Sequence, residues 1–293
     1  MQVAAADFLE KGGEVQSDVW ELKRGSYNQP MPVLRPNANG VRKQISRLER
    51  HLNGLRMIPA TGALRNRIIL ALLSKALTVG RAICALVEAD FPAEAFGMSR
   101  TLTDIFFCVR YMSNKDTEER VTTYAQYEAR IQQEWVSIND KYFPDRPLRL
   151  SSFHEEAMQI AATFKSKHQW TGHGGQAKMM ALEPDSFEKN EQGEPITGEF
   201  DYDALYFWTS HFVHATVKAI EAHAVAPGEV FRIRARISDE KDYSRLALFN
   251  VLVYLNKTFI QACHAMHEEQ PEKVLQDMFK MMKKCKRKKQ KSP

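Results

Sequence analysis

Two imidazoles, a hydroxyl and a phenol fall within nine residues, Tyr206-Phe-Trp-Thr-Ser210-His211-Phe-Val-His214. Histidine changes protonation near neutral pH, so such a cluster has the ingredients of acid–base chemistry. A helix over 201–224 would place Tyr206, Ser210 and His214 at i, i+4 and i+8, along one edge of an apolar face. That face would contain Leu205, Trp208, Phe212, Thr216, Ala219 and Ile220, with His211, Lys218 and Glu221 toward the polar side. Ser210 would then reach His214 within the helix. His211 and His214 are spaced for a shared metal, but no cysteine or carboxylate stands at a local spacing that would complete a ligand set. Two readings stand: histidines that hydrogen-bond to neighbouring helices, or a functional pocket. Neither a cofactor nor a metal is expected.

A second polar stripe lies on an earlier helix. Pro92 opens it, and Met98, Leu102, Ile105, Val109 and Met112 form its expected core face over 93–113. Arg100, Asp104, Phe107 and Tyr111 form a stripe beside that face. Arg100 and Asp104 are spaced to pair within the helix, although Arg preceding Asp is the weaker order. Both stripes flank apolar faces, so a bundle could bring them together. A functional cleft would use Arg100 as the charge partner of an anionic ligand, with His214 as the titrating group.

The remaining elements follow from apolar periodicity. Helices are expected over 41–57, 62–89, 116–142, from about 152 to Lys165, and over about 240–268. The last carries Asn250 and Asn256 in apolar company, as candidate buried polar groups. The run Ile68 to Val87 is the most apolar, but Lys75 and Arg81 interrupt it, so it reads as a buried helix with no membrane span. Residues 166–200 read as a loop-rich insertion, and Phe231–Ile237 alternates with period two like a short strand. The fold class is therefore an all-α multi-helix bundle. Its expected divisions are an N-terminal segment with a Pro-rich linker (1–40), the bundle (41–270), and a basic C-terminal helix and tail (271–293).

With 293 residues, 44% hydrophobic and 26% charged, the chain suits a soluble globular protein. The opening residues have no basic n-region or long apolar run, so secretion is not expected. Cys84, Cys108, Cys263 and Cys285 are widely spaced, which fits the reducing cytoplasm. Charge is uneven. Residues 280–293 hold eight cations and no acid, so a net +5 overall leaves −3 for the rest. Lys283, Lys284, Lys286, Arg287, Lys288 and Lys289 are candidate contacts for RNA or DNA phosphates, and an acidic protein partner would suit them equally. Arg42, Lys43, Arg47 and Arg50 give helix 41–57 a second basic face.

Three segments in order resemble a bacterial domain-of-unknown-function family, number 5677. They are Ser99-Arg100-Thr101-Leu102-Thr103-Asp104, Trp170-Thr171-Gly172, and Tyr206 to His214. That family's pattern is an Arg-x-x-x-acid helix, a Trp-x-Gly loop and a later Tyr, Ser and His helix, here with Asp104 where Glu is commoner. The resemblance spans about residues 60–265 and implies an all-helical fold without an assigned activity. Helical proteins of this kind also invite comparison with HEPN ribonucleases, whose signature is Arg, four to six residues, then His. Only Arg149 to His154 fits, so the comparison is one of fold class.

Phosphate-binding glycine loops, dinucleotide fingerprints, His-Glu-x-x-His and Gly-x-Ser-x-Gly are all missing. The expected function is a non-enzymatic helical interaction or regulatory protein, nucleic-acid-associated, in bacterial stress or defence. The alternative is a metal-independent, HEPN-like ribonuclease with His214 or His211 as acid/base and Arg100 stabilising the charge of the transition state, its site drawn from Asp104, Ser210 and Tyr206 as well.

Overall fold

The computed structural model describes residues 36–55, 64–146, 154–164, 170–171, 175–186, 192–214, 224–225, 232–233 and 241–266. Its helices are α1 (Ala38–Leu55), α2 (Leu64–Glu88), α3 (Pro92–Asn114), α4 (Thr117–Tyr142), α5 (His154–Ala162), α6 (Gln176–Leu182), α7 (Phe207–Val213) and α8 (Lys241–Ala265). A π-helical turn, Asp201–Tyr206, runs directly into α7. The only strands among the described residues, Ala224–Val225 and Arg232–Ile233, form a two-residue antiparallel pairing. The molecule is all-α, as its periodicity predicts. The rest of the expected strand, residues 1–35 of the N-terminal segment and linker, and the basic tail lie outside the described residues; the linker's expected end at 40 is too late, because Ala38–Gly40 already belong to α1.

α3 is the hub, packed against α2, α4, α6, α7 and α8. Pro92 starts it at a position where the missing N–H is no loss. After two intervening residues α4 begins, with Glu118 and Glu119 in a first turn that favours negative charge. The hub is buried on more than one side: Ser99, Thr103, Phe106, Phe107 and Arg110 join Leu102, Ile105, Val109 and Met112 in the core. Met98, expected inside, is 37% exposed because it lies at the edge of this broad face. α8 crosses α3 with Leu248, Val251, Tyr254, Leu255, Phe259 and Ala262 buried. At Gly80 of α2, an added Cβ would lie 3.0 Å from Leu255 Cδ1 and 3.2 Å from Val251 Cγ1, so the missing side chain lets α2 and α8 approach closely.

Several polar groups in this core are paired across helices. Asn250 Nδ2 donates to Ser99 Oγ at 3.0 Å, and Gln44 Nε2 donates to Asn256 Oδ1 at 2.9 Å. The suspected asparagines of α8 are thus buried, and each fixes the register of a facing helix. α2 and the Tyr243–Ala265 stretch of α8 are long and apolar enough to cross a membrane, and both pack against α3 here. The polar faces of α1 and α2 are laced by ion pairs from Arg42 to Glu88 and from Arg81 to Glu49.

The 166–200 region is more structured than its composition suggests. It contains α6, and its later part is held by a buried arginine. Arg110 Nε donates to Asp185 Oδ2 at 3.0 Å. Nη1 reaches the carbonyls of Met180 and Ala181, and Nη2 those of Glu183 and Ile196. All five guanidinium donors are satisfied. Asp185 also accepts from Gln261 of α8 at 2.9 Å, while Asn114 and Arg120 hold Glu183.

The Arg110 and Asp185 side chains are only 4% and 2% exposed. Arg110→Met should therefore cost about 3–5 kcal/mol, because Asp185 would be left charged and uncompensated in the core. Urea denaturation measures the loss; a change under about 1 kcal/mol, the usual range of an exposed pair, would contradict this role.

Candidate functional site

The backbone of the Tyr206–His214 segment departs from the expected helix in two ways. Asp201–Tyr206 is π-wound, with the Phe207 amide bonded to Tyr202 O five residues back. A π turn advances fewer degrees per residue than an α turn, so the buried face rotates. Leu205 and Thr209 are buried, whereas Trp208, expected inside, is 37% exposed. The helix then ends at Val213, and His214 is extended (φ −96°, ψ 149°). The i, i+4 reach from Ser210 to His214 is therefore not made. Ser210 Oγ instead donates to Tyr206 O at 2.6 Å. Thr216, Lys218, Ala219, Ile220 and Glu221 lie outside the described residues.

The two stripes nonetheless meet. Gly97 permits the approach: a Cβ there would come 3.2 Å from Phe212 Cβ and 3.4 Å from its carbonyl carbon. Phe212 packs edge-on against Phe96 at 5.2 Å and against Tyr243 of α8 at 4.9 Å. At the other end, buried Asp201 accepts from Tyr254 at 3.1 Å and Lys257 at 2.7 Å, which ties the π turn to α8. Between these anchors, Arg100 Nη2 donates to Tyr206 OH at 2.8 Å, and Nη1 lies 3.0 Å from His214 Nε2. Guanidinium has no acceptor, so this contact requires an unprotonated Nε2, with the imidazole proton on Nδ1. Arg100 Nε is 3.8 Å from Asp104 Oδ2, and Tyr206 also hydrogen-bonds Asp104.

Arg100, Asp104 and Tyr206 line a cleft of about 490 Å³ with Cys108, Tyr202 and the start of α6, where Gln176 and Lys178 sit. The insertion region thus supplies one wall. Asp104 keeps 44% of its side-chain surface open. Even so, its partial withdrawal from water pushes the carboxyl up to about 6; Arg100 and the Tyr206 bond pull it down without offsetting this. Burial, and secondarily Asp104, pushes Cys108 up to about 12, so its thiol stays protonated at neutral pH. Burial also raises Tyr206, with Asp104 adding to the effect.

Of the predicted site residues, Arg100, Asp104, Tyr206 and His214 are brought together. Ser210, His211 and His214 do not line the cleft; His214 touches it only through its contact with Arg100. His211 packs on Phe207 with ring centroids 4.7 Å apart, while His214 turns to Arg100, so the two are not poised as a metal pair. No group of three or more metal-ligating side chains is found among the described residues. Trp170 is buried edge-on against Tyr111 and Tyr124, as a packing residue beside α3 and α4. Arg149 lies outside the described residues. The periodicity missed Gln176, Lys178, Tyr202 and Cys108 as lining residues; the only available signal was Tyr202 one helical turn before Tyr206.

An all-helical domain with a polar cleft between α3, α6 and the π turn is thus defined. Residues 66–229, more than half the chain, match the family of unknown function DUF5677, and the chain belongs to that family. No curated protein matches it, and no solved structure does.

Gly97 and Asp104 each make this geometry testable. Gly97→Val should separate α7 from α3 and break the Arg100–His214 contact, at a cost of about 1–3 kcal/mol by overpacking; unchanged stability together with an unchanged His214 ring spectrum by NMR would refute the close approach. For Asp104, a raised folded pKa means that the folded state holds the proton more tightly. The resulting stabilisation is complete below the unfolded value of 3.8 and is lost as pH rises through about 6. Asp104→Asn should remove this dependence, and carboxyl carbon NMR should place the wild-type midpoint near 6. A midpoint near 3.8 would rule out the environment described.

Proposed function

We propose that this chain is a non-enzymatic interaction module whose cleft recognises an anionic ligand, and that it works with nucleic acid. The observation that carries the reading is the held Arg100 guanidinium, with Lys178 as a second cation in the lining. Asp104 is the one acid among the described lining residues, and burial raises its pKa to about 6, so it takes up a proton more readily than an ordinary carboxylate. The basic tail, Lys283 to Lys289 foremost, adds long-range attraction for a polyanion. Both long apolar helices pack against α3, with 72% of the α8 window buried and 44% of the α2 window, which supports a core role rather than a membrane span. The free thiols of Cys84 and Cys108 support a cytoplasmic setting. A bacterial stress or defence role rests on analogy with helical defence proteins.

The second reading is metal-independent RNA cleavage. Asp104 near 6, hydrogen-bonded to a phenol, is suited to acid–base work. Against it, Arg100 engages His214 Nε2 and Ser210 turns its proton to a backbone carbonyl, so His214 and Ser210 form no base–nucleophile pair with each other.

Fluorescence anisotropy of the full chain with single-stranded RNA and duplex DNA tests the first reading. Binding should weaken with salt. Replacing Lys283, Lys284, Lys286, Arg287, Lys288 and Lys289 by Gln should flatten that dependence, by about 0.7 in log–log slope for each single-strand phosphate that those cations had neutralised. The RNA should stay intact. Cleavage that disappears in His214→Ala would establish the second reading instead, and no polyanion binding at low salt would end the nucleic-acid assignment.

A further inference from the structure

Three features of the cleft describe its ligand more closely than charge does. Cations come from two elements, Arg100 from α3 and Lys178 from α6. Two aromatic rings are stacked at the edge of the space: Tyr202 and Tyr206 lie 5.1 Å apart at 17°. Tyr206 is held by Arg100 through its hydroxyl, and among the described residues Tyr202 has no ring partner besides Tyr206. Among the described residues the stack therefore ends at Tyr202, which lines the cleft. Finally, Arg100 Nε and Gln176 Oε1 are buried with no hydrogen-bond partner among the described residues. One is a donor and the other an acceptor. A buried polar group without a partner is costly, so a ligand that supplies one gains affinity.

The volume sets the scale. About 490 Å³ falls within the usual range of small-ligand pockets. It is too small for a duplex or for a run of stacked nucleotides.

Building on the anion-binding reading above, we infer that the cleft takes one phosphorylated nucleoside, its phosphate between Arg100 and Lys178 and its base continuing the stack from Tyr202. A guanidinium donates to phosphate oxygens in charge-assisted bonds, and Lys178 adds a point charge. On a rotation of the Gln176 amide into the cleft, a base N–H gives its buried Oε1 a partner. Stacking on tyrosine tolerates any base, because every base has a π face. A free mononucleotide and the phosphorylated end of an RNA strand present the same unit, and these are its two sources.

Isothermal titration of the full chain separates them. The probes are AMP, GMP, CMP and UMP, with adenosine and inorganic phosphate as controls, and one RNA octamer with either a 5′-phosphate or a 5′-hydroxyl. At least one mononucleotide should bind about tenfold more tightly than adenosine or phosphate. Tyr202→Leu should weaken it about tenfold, within the usual range for removal of base stacking, and leave inorganic phosphate unaffected. Lys178→Ala changes an exposed side chain, so it should weaken the mononucleotide while the melting temperature of the free protein stays constant. Preference for the 5′-phosphorylated octamer would assign the unit to RNA ends; mononucleotide binding without that preference would assign it to free nucleotide. The inference fails if no mononucleotide outbinds phosphate and adenosine, or if binding ignores both substitutions. If it fails while RNA still binds with a steep salt dependence, the nucleic-acid reading survives. Mononucleotide binding without polyanion binding would leave the inference standing and end the nucleic-acid association.

Discussion

The guanidinium of Arg110 is the contact on which the cleft depends. It lies in the core, where an unpaired cation would be prohibitive, and it is matched by Asp185 and four backbone carbonyls between Met180 and Ile196. A chain segment with little apolar surface of its own is thereby held against α3. Asp185 passes the constraint to α8 through Gln261, which in turn accepts from Ser113 of α3. The closed loop of bonds sets the position of α6, and α6 carries Gln176 and Lys178 to the cleft. Without Arg110 the wall opposite Arg100 would have no fixed place.

The same helix carries a second arginine in a different situation, and the contrast bears on function. Arg110 spends every donor on fixed protein acceptors, so it can do nothing else. Arg100 keeps 22% of its side-chain surface open and binds two neutral acceptors, the Tyr206 hydroxyl and the His214 ring. Among the described residues its carboxylate neighbour is Asp104, 3.8 Å away at the limit of an ion pair, so it is neutralised less than by a close bidentate contact. A cation with neutral partners keeps its charge available to an incoming anion, whereas one with a tight carboxylate does not.

Much of this architecture was legible in the residues. The bundle helices are long, and their apolar residues recur at the α-helical period, so α1 to α4 and α8 could be located to within a few residues. The meeting of Arg100 and Asp104 with Tyr206 and His214 was legible because each pair sits beside an apolar face that must turn inward. The details of the second pair were not. A π turn leaves no periodic signature, and the early stop at Val213 is followed by Ala-Thr-Val-Lys-Ala-Ile, which continues the apolar pattern. The role of Arg110 stayed hidden because a lone arginine on a helix ordinarily reads as solvated. The clue was its company: Phe106, Phe107, Ser113 and Asn114 occupy its i±3 and i±4 neighbours, and none offers a charge partner. α6 was hidden by its brevity, since seven residues are too few for a period to show.

The end of α7 at Val213 has a consequence for how the site is assembled. Had the helix continued, His214 would have remained on the helical stripe with Ser210. The extended backbone at His214 lets the ring turn to the α3 guanidinium instead. The Arg100 fork is then held by two groups eight residues apart, one at the end of the π turn and one just past α7. Two contacts so placed fix the plane of a guanidinium as well as its position, because a planar fork bonded through both terminal nitrogens cannot rotate about its axis without breaking one of those bonds. The π turn and the early helix end, the two features the periodicity did not anticipate, are therefore what orient Arg100 toward the cleft.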